Sequence, residues 1–291
     1  MIAFDYSAPD SLAGAVAALD EAGDDGKAIA GGTALVILMM QRLVRPSRLV
    51  SLRRIPGLDR IGPADGGIRI GALATHRDVE TSPVIRERFP VLAETFRQVA
   101  TLRIRNIATV GGSLAHADPN QDPPVTLMAL GARVRIAGPD GERQLPLDEF
   151  FVEYYQTALR QNELIVGVEL PFPAPGSGSA FIKFLPRTAD DYATVAVTAT
   201  LALNPDGACR EARIALGSVG PTTLRAREAE ALLAGERLTE PLLAAAGEAA
   251  KRIADPIADQ RGSAEYKREM VGVFVRRAIR SAWSGARGAN A

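Results

Sequence analysis

Two short glycine-paired stretches constrain this chain more than any other feature. They are Ala30-Gly31-Gly32-Thr33-Ala34 and Thr109-Val110-Gly111-Gly112-Ser113, and each sets two glycines beside a small hydroxyl residue. Because glycine has no Cβ, its backbone can approach a ligand closely and can adopt a positive φ. Successive amides in such a turn form a concave anion site, to which a hydroxyl adds a donor. Two such turns, far apart in the chain, predict a pyrophosphate held from both sides.

The composition is ordinary for a globular protein and excludes several classes of function. The 291 residues include 34 Lys and Arg and 34 Asp and Glu, so the formal net charge is zero. Such a chain has no general attraction for nucleic acid or anionic lipid. Its single cysteine, Cys209, excludes an internal disulfide and any four-cysteine zinc or iron–sulfur site. We interpret Cys209 as an ordinary thiol at a strand end.

Neither a targeting segment nor a metal site is expected. The N-terminus lacks the basic start and long apolar region of a secretory signal, and the apolar residues 28–40 are too few to span a bilayer. The only histidines, His76 and His116, have no carboxylate at ligand spacing. We therefore expect a cytoplasmic protein without a transmembrane segment.

Hydrophobic periodicity predicts strands and helices around both glycine pairs. A strand over 27–30 leads into the first pair, and a helix over 34–41 follows it, with N-terminal amides that would face a bound anion. Residues 171–179, prolines followed by Gly and Ser, are interpreted as a linker between domains. Beyond them, alternation predicts an antiparallel sheet with strands over 180–185, 194–203 and 212–216. Three helices are predicted to follow, over 226–233, 240–254 and 264–283.

Polar residues cluster around the second glycine pair. Arg103 and Arg105 alternate with apolar neighbours, which predicts that both side chains point the same way. Asp122 is suited either to accept hydrogen bonds from ribityl or ribose hydroxyls or to cap a helix that starts near Pro123. Residues 153–156, Glu-Tyr-Tyr-Gln, are interpreted as half-buried helix surface.

Three ordered motifs then resemble a known family. They are the Ala-Gly-Gly-Thr turn, the Arg-Asn-Ile-Ala-Thr-Val-Gly-Gly-Ser-Leu-Ala-His-Ala-Asp-Pro segment, and Lys183 followed by Asp190-Asp191-Tyr192-Ala193. Together they resemble the FAD-binding (medium) subunit of molybdenum hydroxylases, in particular that of aerobic carbon monoxide dehydrogenase, which is related to the FAD-binding subunit of xanthine dehydrogenase. The resemblance covers nearly the whole chain.

This resemblance implies an α+β fold. Its N-terminal part would be the two-subdomain α/β fold of FAD-binding PCMH-type (vanillyl-alcohol-oxidase-like) proteins, followed by a C-terminal antiparallel sheet with helices. The implied units are a first FAD-binding subdomain over 1–56, a second over 57–175, and a C-terminal α+β domain of the carbon monoxide dehydrogenase flavoprotein type over 176–291.

The resemblance also implies a set of residues that bind FAD noncovalently. Residues 28–35 and 109–113 would wrap the pyrophosphate, Asp122 would bind the polar chain of the flavin, and the backbone of Ile165 would lie near the isoalloxazine ring. Lys183 would lie near N1 of that ring and Tyr192 near its face. The full set is Lys27, Ala28, Ile29, Ala30, Gly31, Gly32, Thr33, Ala34, Leu35, Val99, Thr109, Gly111, Gly112, Ser113, Asp122, Ile165, Lys183 and Tyr192.

Residue by residue, plainer interpretations stay open. The first glycine pair is compatible with a tight packing turn, Lys183 with a solvated strand lysine, and Tyr192 with a core tyrosine. Ser113 departs from the family pattern, because related flavin domains often carry Asn there, and serine keeps a hydroxyl donor but lacks the amide donor.

The implied function is electron transfer without a catalytic residue in this chain. A partner small subunit would hold [2Fe–2S] clusters, a large subunit would hold the molybdopterin cofactor, and the three subunits would double into a heterohexamer. FAD would pass electrons to a quinone, O₂ or NAD. Two alternatives are a self-contained flavin oxidoreductase of the same fold and a flavin-free nucleotide-binding scaffold.

Overall fold

Three main β-sheets follow one another along the chain in the computed structural model, which describes residues 3–185 and 191–288, and a short hairpin in these ranges forms a fourth, two-stranded sheet. Asp190, part of the third sequence motif, lies outside the described residues. Each of the three main sheets is accompanied by its own helices, so the predicted α+β class is confirmed. No helix in the described ranges is both long enough and apolar enough to cross a membrane.

The first unit is a small parallel sheet with the order β1-β3-β2. Its helix α1 begins at Ser11, whose hydroxyl accepts a hydrogen bond from the amide of Gly14, and buries Val16 and Leu19 against Val50. The elements are β1 (Asp5–Ser7), α1 (Leu12–Ala22), β2 (Gly26–Ile29), α2 (Leu35–Met40) and β3 (Arg48–Ser51).

The second unit is an antiparallel sheet with the order β4-β5-β10-β6-β7. Its helices pack on one face around Ile70, Phe96 and Val134, which are fully buried. The elements are β4 (Ile61–Ala64), β5 (Gly67–Gly71), α3 (His76–Thr81), α4 (Pro83–Arg88), α5 (Pro90–Arg97), α6 (Leu102–Arg105), α7 (Val110–His116), α8 (Asp122–Ala129), β6 (Arg133–Gly138), β7 (Gly141–Pro146), β8 (Phe151–Glu153), β9 (Gln156–Thr157) and β10 (Leu164–Pro171).

The third unit is an antiparallel sheet with the order β11-β12-β13-β14, covered by three helices, as the alternation predicted. Because β11 starts at Ser177, the segment between β10 and β11 is shorter than the predicted linker. The elements are β11 (Ser177–Phe184), β12 (Val195–Leu203), β13 (Cys209–Gly217), β14 (Leu224–Arg225), α9 (Arg227–Leu233), α10 (Glu240–Ile253) and α11 (Ala264–Gly288). Cys209 is a buried thiol at the start of β13, and burial raises its pKa to about 11.

A buried line of three threonine hydroxyls joins the second and third units. Thr126 on α8 lies 2.7 Å from the hydroxyl of Thr95 on α5 and 2.8 Å from that of Thr198 on β12. All three residues are fully buried. Because each hydroxyl bonds to its neighbour, these three polar groups can be buried between the units. Helix α8 is therefore fixed from both sides.

Two local predictions are wrong. Residues 102–105 form the short helix α6 rather than an alternating strand, so Arg103 is exposed while Arg105 turns inward to a 2.9 Å ion pair with Glu80. Residues 153–156 form the tip of the hairpin β8–β9, where Tyr155 is exposed and has a φ of 56°. Both segments are too short for periodicity to decide between helix and strand.

His76, the first residue of α3, is buried against the edge of the Phe96 ring, with 5.0 Å between ring centroids. Burial lowers its pKa to about 4 from 6.5, against a smaller upward effect of the Thr109 backbone. Below pH 6.5 the unfolded chain therefore binds a proton at His76 that the folded chain does not bind until about pH 4.

We predict that the free energy of unfolding of the wild-type chain falls by about 3 kcal/mol more than that of His76→Phe between pH 6.5 and 4. Chemical denaturation across this pH range measures the difference. The opposite slope from Asp122, whose pKa is raised, is common to both proteins and cancels. Phe96→Leu disturbs the same packing but keeps the imidazole, so it should keep the wild-type slope; equal slopes in wild type and His76→Phe would contradict the assignment.

Candidate functional site

The two glycine pairs lie side by side, although one belongs to the first unit and the other to the second. A Cβ on Gly31 would lie 2.1 Å from the carbonyl oxygen of Ile107 and 3.2 Å from the Cα of Ala108. A Cβ on Gly112 would lie 3.9 Å from the Cβ of Ala30. Only glycine allows the backbone of residue 31 to come this close, so Gly31 is required for the contact between the turns.

The first turn carries a row of amides available to a ligand. Within the described residues, no acceptor is paired with the N–H groups of Gly31, Gly32, Thr33 or Ala34. Gly32 has a φ of 76°, and its carbonyl accepts the amide of Val36 in the first turn of α2. Unpaired amides at such a turn attract an anion. The predicted strand and helix on either side, β2 and α2, are confirmed.

The second glycine pair differs from its prediction, because it is the first turn of helix α7 and its amides are occupied by the protein. Gly111 donates to the carbonyl of Ala72 at 2.8 Å, and a Cβ on Gly111 would lie 2.6 Å from the Cβ of Ala72. The remaining donations are Val110 to the carbonyl of Ala74 (3.0 Å), Gly112 to Oγ1 of Thr109 (3.2 Å) and Ser113 to the carbonyl of Thr109 (2.9 Å). The expectation of two sets of bare amides is therefore wrong.

The hydroxyl at position 113 also has a partner. Ser113 donates a hydrogen bond from Oγ to Oε1 of Gln121, the residue at the N-cap of α8. Thr109 uses its hydroxyl to cap α7. The second segment thus packs β5, α8 and the first turn together, and it holds the first turn in position.

A buried ion pair lies at the start of α8. The Asp122 side chain is 5% exposed and that of Lys183, on β11, is 2% exposed. Lys183 Nζ donates to Oδ2 of Asp122 at 2.7 Å and to the carbonyl of Gln98 at 3.0 Å. Burial raises the pKa of Asp122 to about 6, although Lys183 lowers it. The alternative role of Asp122 as an N-cap is excluded, because Gln121 occupies that position.

This pair is incompletely satisfied by the protein. Asp122 Oδ1 is buried without a hydrogen-bond partner among the described residues. A lysine ammonium has three N–H donors, and the two acceptors of Lys183 leave one of them. Buried polar groups nearly always have partners, so an unfilled acceptor and an unfilled donor mark a place where a polar ligand fits. Lys183 is not a solvated strand lysine.

Tyr192 contacts two charged side chains that the sequence analysis did not assign to the site. Its hydroxyl donates to Oδ2 of Asp118 at 2.9 Å, and Arg261 lies 5.7 Å from the ring centroid and donates from Nε to the Tyr192 carbonyl. Burial together with the charge of Asp118 raises the pKa of Tyr192 well above its usual value, so the phenol stays protonated. The residue remains 46% exposed and is not a core tyrosine.

Three further predicted residues lie on other elements. Ile165 is buried in β10 at a bulge between residues 165 and 167. Val99 follows Gln98, and its carbonyl accepts a hydrogen bond from Arg105 at 2.9 Å. Lys27 is exposed on β2. Arg105 and Asp118 are structural members of the site that sequence reasoning did not assign, although both stand inside or next to the second motif.

Comparison with known proteins identifies the family of the chain. Residues 2–173 match the family of the FAD binding domain in molybdopterin dehydrogenase. Residues 180–282 match the carbon monoxide dehydrogenase flavoprotein C-terminal domain. The two matches together cover almost all of the chain.

Individual relatives are similar over nearly their whole length. The chain is 40% identical to the alpha subunit of the 6-hydroxypseudooxynicotine dehydrogenase complex of Paenarthrobacter nicotinovorans, covering 98% of this chain and 96% of the relative. It is 38% identical to the carbon monoxide dehydrogenase medium chain of Hydrogenophaga pseudoflava, with 97% of each covered. A solved structure of the carbon monoxide dehydrogenase of that organism, which lacks the Mo-pyranopterin moiety, matches with a TM-score of 0.94 and 39% identity over 98% of this chain and 99% of that one.

The chain therefore belongs to the FAD-binding medium subunits of molybdenum hydroxylases, and the family resemblance predicted from its motifs is confirmed. It is an oxidoreductase subunit whose cofactor is FAD. The residues described above fit that cofactor: unpaired amides suit a pyrophosphate, and the buried Asp122 and Lys183 suit the polar groups of a flavin.

We predict that Gly31→Ala weakens FAD binding by at least about tenfold, or about 1.4 kcal/mol, because the new Cβ meets the Ile107 carbonyl and separates the two turns. Fluorescence titration of the FAD-depleted chain measures the affinity, and circular dichroism checks the fold. Gly62→Ala is the matched control, since nothing lies within 4 Å of its Cβ position. A folded Gly31→Ala variant with wild-type affinity would show that the close contact is not needed.

Proposed function

We propose that this subunit accepts electrons from [2Fe–2S] clusters on a partner small subunit and delivers them through FAD to an external acceptor. The observations that carry the proposal are donors and an acceptor that no described residue pairs: four backbone amides of the first glycine turn, Asp122 Oδ1 and one N–H of Lys183. FAD supplies the redox chemistry, because it takes up two electrons and can release them to a separate acceptor.

The first turn is proposed to bind the pyrophosphate. Residues Ala28–Leu35 run from β2 into α2, and the amides of Gly31 to Ala34 have no other acceptor in the described chain. Backbone amides and the start of a helix stabilise phosphate without a charged side chain. Thr109, Gly111, Gly112 and Ser113 would act by packing against this turn rather than through their own amides.

Around the flavin itself, we propose two buried polar side chains and one aromatic ring. Asp122 would accept a hydrogen bond from a hydroxyl of the ribityl chain at Oδ1. Lys183 would donate its remaining N–H near N1 of the ring, where a positive charge favours the reduced flavin. The backbone of Ile165 and the ring of Tyr192 would border the isoalloxazine, and Val99 would lie close to it.

The clusters would lie on another subunit, because this chain has one cysteine and a [2Fe–2S] cluster of the four-cysteine type needs four. The relatives are subunits of dehydrogenase complexes, which supports a partner with [2Fe–2S] clusters, a large subunit with the molybdopterin cofactor, and a doubled heterohexamer. The acceptor would be a quinone, O₂ or NAD. Residues 1–56 and 57–175 would act as two FAD-binding subdomains and residues 176–291 as the C-terminal domain.

We predict that Lys183→Met combined with Asp122→Asn retains FAD but lowers its two-electron midpoint potential by about 20–45 mV, for a lost interaction of about 1–2 kcal/mol. The double substitution avoids leaving one buried charge without its partner. Spectroelectrochemical titration of the FAD-loaded chain measures the potential.

Lys251→Met is the matched control. Lys251 on α10 pairs with Glu269 on α11, so this substitution should leave the potential unchanged. An unchanged potential in the Lys183 variant would remove this side chain from the flavin.

The electron pathway predicts a specific block when FAD is removed. In the co-purified complex, substrate should still reduce the iron–sulfur clusters after FAD depletion, whereas reduction of the acceptor should stop and return on adding FAD. Stopped-flow absorption separates the two steps. Turnover of substrate by the isolated flavin-loaded chain would instead favour the self-contained oxidoreductase, and a chain that cannot be loaded with FAD would favour the nucleotide-binding scaffold.

A further inference from the structure

A cleft lies at the seam between the second and third units, at the opposite end of α8 from Asp122. Its volume is about 310 Å³, and it is bordered by the end of α8, the turn into β6, the 3₁₀ turn at residues 147–149, and strands β13 and β14. Its walls are rich in charge, with the arginines Arg133, Arg213, Arg225 and Arg227 and the acidic residues Asp148 and Glu149.

Two of these arginines hold the seam together. Arg225 donates from Nη1 to Oδ2 of Asp148 at 3.0 Å and from Nε to Glu230 at 2.9 Å. Arg227 donates to the same oxygen of Asp148 at 2.6 Å. Because Asp148 belongs to the second unit and both arginines to the third, this carboxylate ties the units together. These contacts explain Arg225 as a structural residue.

The other two arginines are held only at Nε. Arg213 donates from Nε to Glu211 at 2.8 Å, and Arg133 donates from Nε to Gln144 at 3.3 Å. No described residue accepts from the terminal nitrogens of either side chain. The Arg213 guanidinium also packs on the turn at Gly131, where a Cβ would lie 2.7 Å from Nη1. Anchoring at Nε reduces the entropy lost when the terminal nitrogens bind a ligand.

We propose that this cleft binds a small phosphate-bearing molecule, with its phosphate between Arg133 and Arg213. A guanidinium presents two parallel N–H groups to the oxygens of a phosphate. Two guanidinium groups together match the charge of a phosphate dianion better than that of a single carboxylate. Arg227 adds a third, more exposed positive charge at the rim. The volume is at the lower end of small-molecule sites, so it admits a phosphate with a small organic group.

The site does not depend on the flavin. None of its lining residues belongs to the glycine turns or to the Asp122–Lys183 pair. Asp148 competes with the anion, because its carboxylate occupies Arg225 and Arg227. Neutralising Asp148 should therefore strengthen anion binding. If the arginines only held the two units together, no anion would bind in either protein.

The test is calorimetric titration of the FAD-loaded full chain with inorganic phosphate and pyrophosphate at constant ionic strength. Loading with FAD keeps the anions away from the first glycine turn. Arg133→Gln combined with Arg213→Gln should raise the Kd at least tenfold, and Asp148→Asn should lower it. Arg160→Gln is the matched control, because Arg160 pairs with Asp140 on an exposed turn and should leave the Kd unchanged.

Each outcome decides the proposal. A saturable wild-type isotherm that weakens in the double variant and strengthens in Asp148→Asn supports the phosphate site. The absence of saturable binding, or an equal Kd in the wild type and the double variant, overturns it. Saturable binding to the FAD-depleted chain that disappears on loading with FAD would assign the anion to the flavin turn and would also overturn it.

Discussion

The buried ion pair between Lys183 and Asp122 sets the geometry on which the rest of the site depends. Lys183 comes from the first strand of the third unit, and its ammonium reaches Asp122 and the carbonyl of Gln98 in the second unit. Burying two charges costs several kcal/mol per ion unless their hydrogen bonds are satisfied, and here one acceptor and one donor have no partner among the described residues. A bound flavin that fills both would make the seam between the units more stable. Under the proposed function, flavin binding and the packing of the second unit against the third would both depend on this ion pair.

The two glycine pairs have different structural roles. The amides of the first pair have no partner in the described part of the chain, so this turn is suited to an anion. The second uses its amides within α7 and against β5, which makes it a rigid surface on which Gly31 rests. Rigidity matters because an anion site made of amides works only when the protein, rather than the ligand, orders those amides. A mobile turn would bind the anion more weakly, because binding would then also have to order the turn.

Much of the fold could be predicted from the sequence, because strands and helices of ordinary length carry a clear hydrophobic period. The strand into Gly31, the helix after it and the antiparallel C-terminal sheet all follow from such patterns. The pairing of Asp122 with Lys183 could not be predicted from the residues alone, since the two lie 61 residues apart and neither pattern names a partner. The resemblance placed both near the flavin without indicating their contact. Arg105 was misjudged because a four-residue helix and a strand look alike in sequence.

Helix α8 connects the two polar regions of the seam. Asp122 begins it, Met128 near its end borders the arginine-lined cleft, and Thr126 between them bonds to both units. Eight helical residues span only about 12 Å, and a helix packed on both sides moves as a rigid body rather than bending. A ligand that tightens the seam at one end of α8 therefore acts on the same packed element that holds the ion pair at the other end. Any free-energy coupling between the two regions must be reciprocal, so an anion that favoured flavin binding would itself bind more tightly to the flavin-loaded chain.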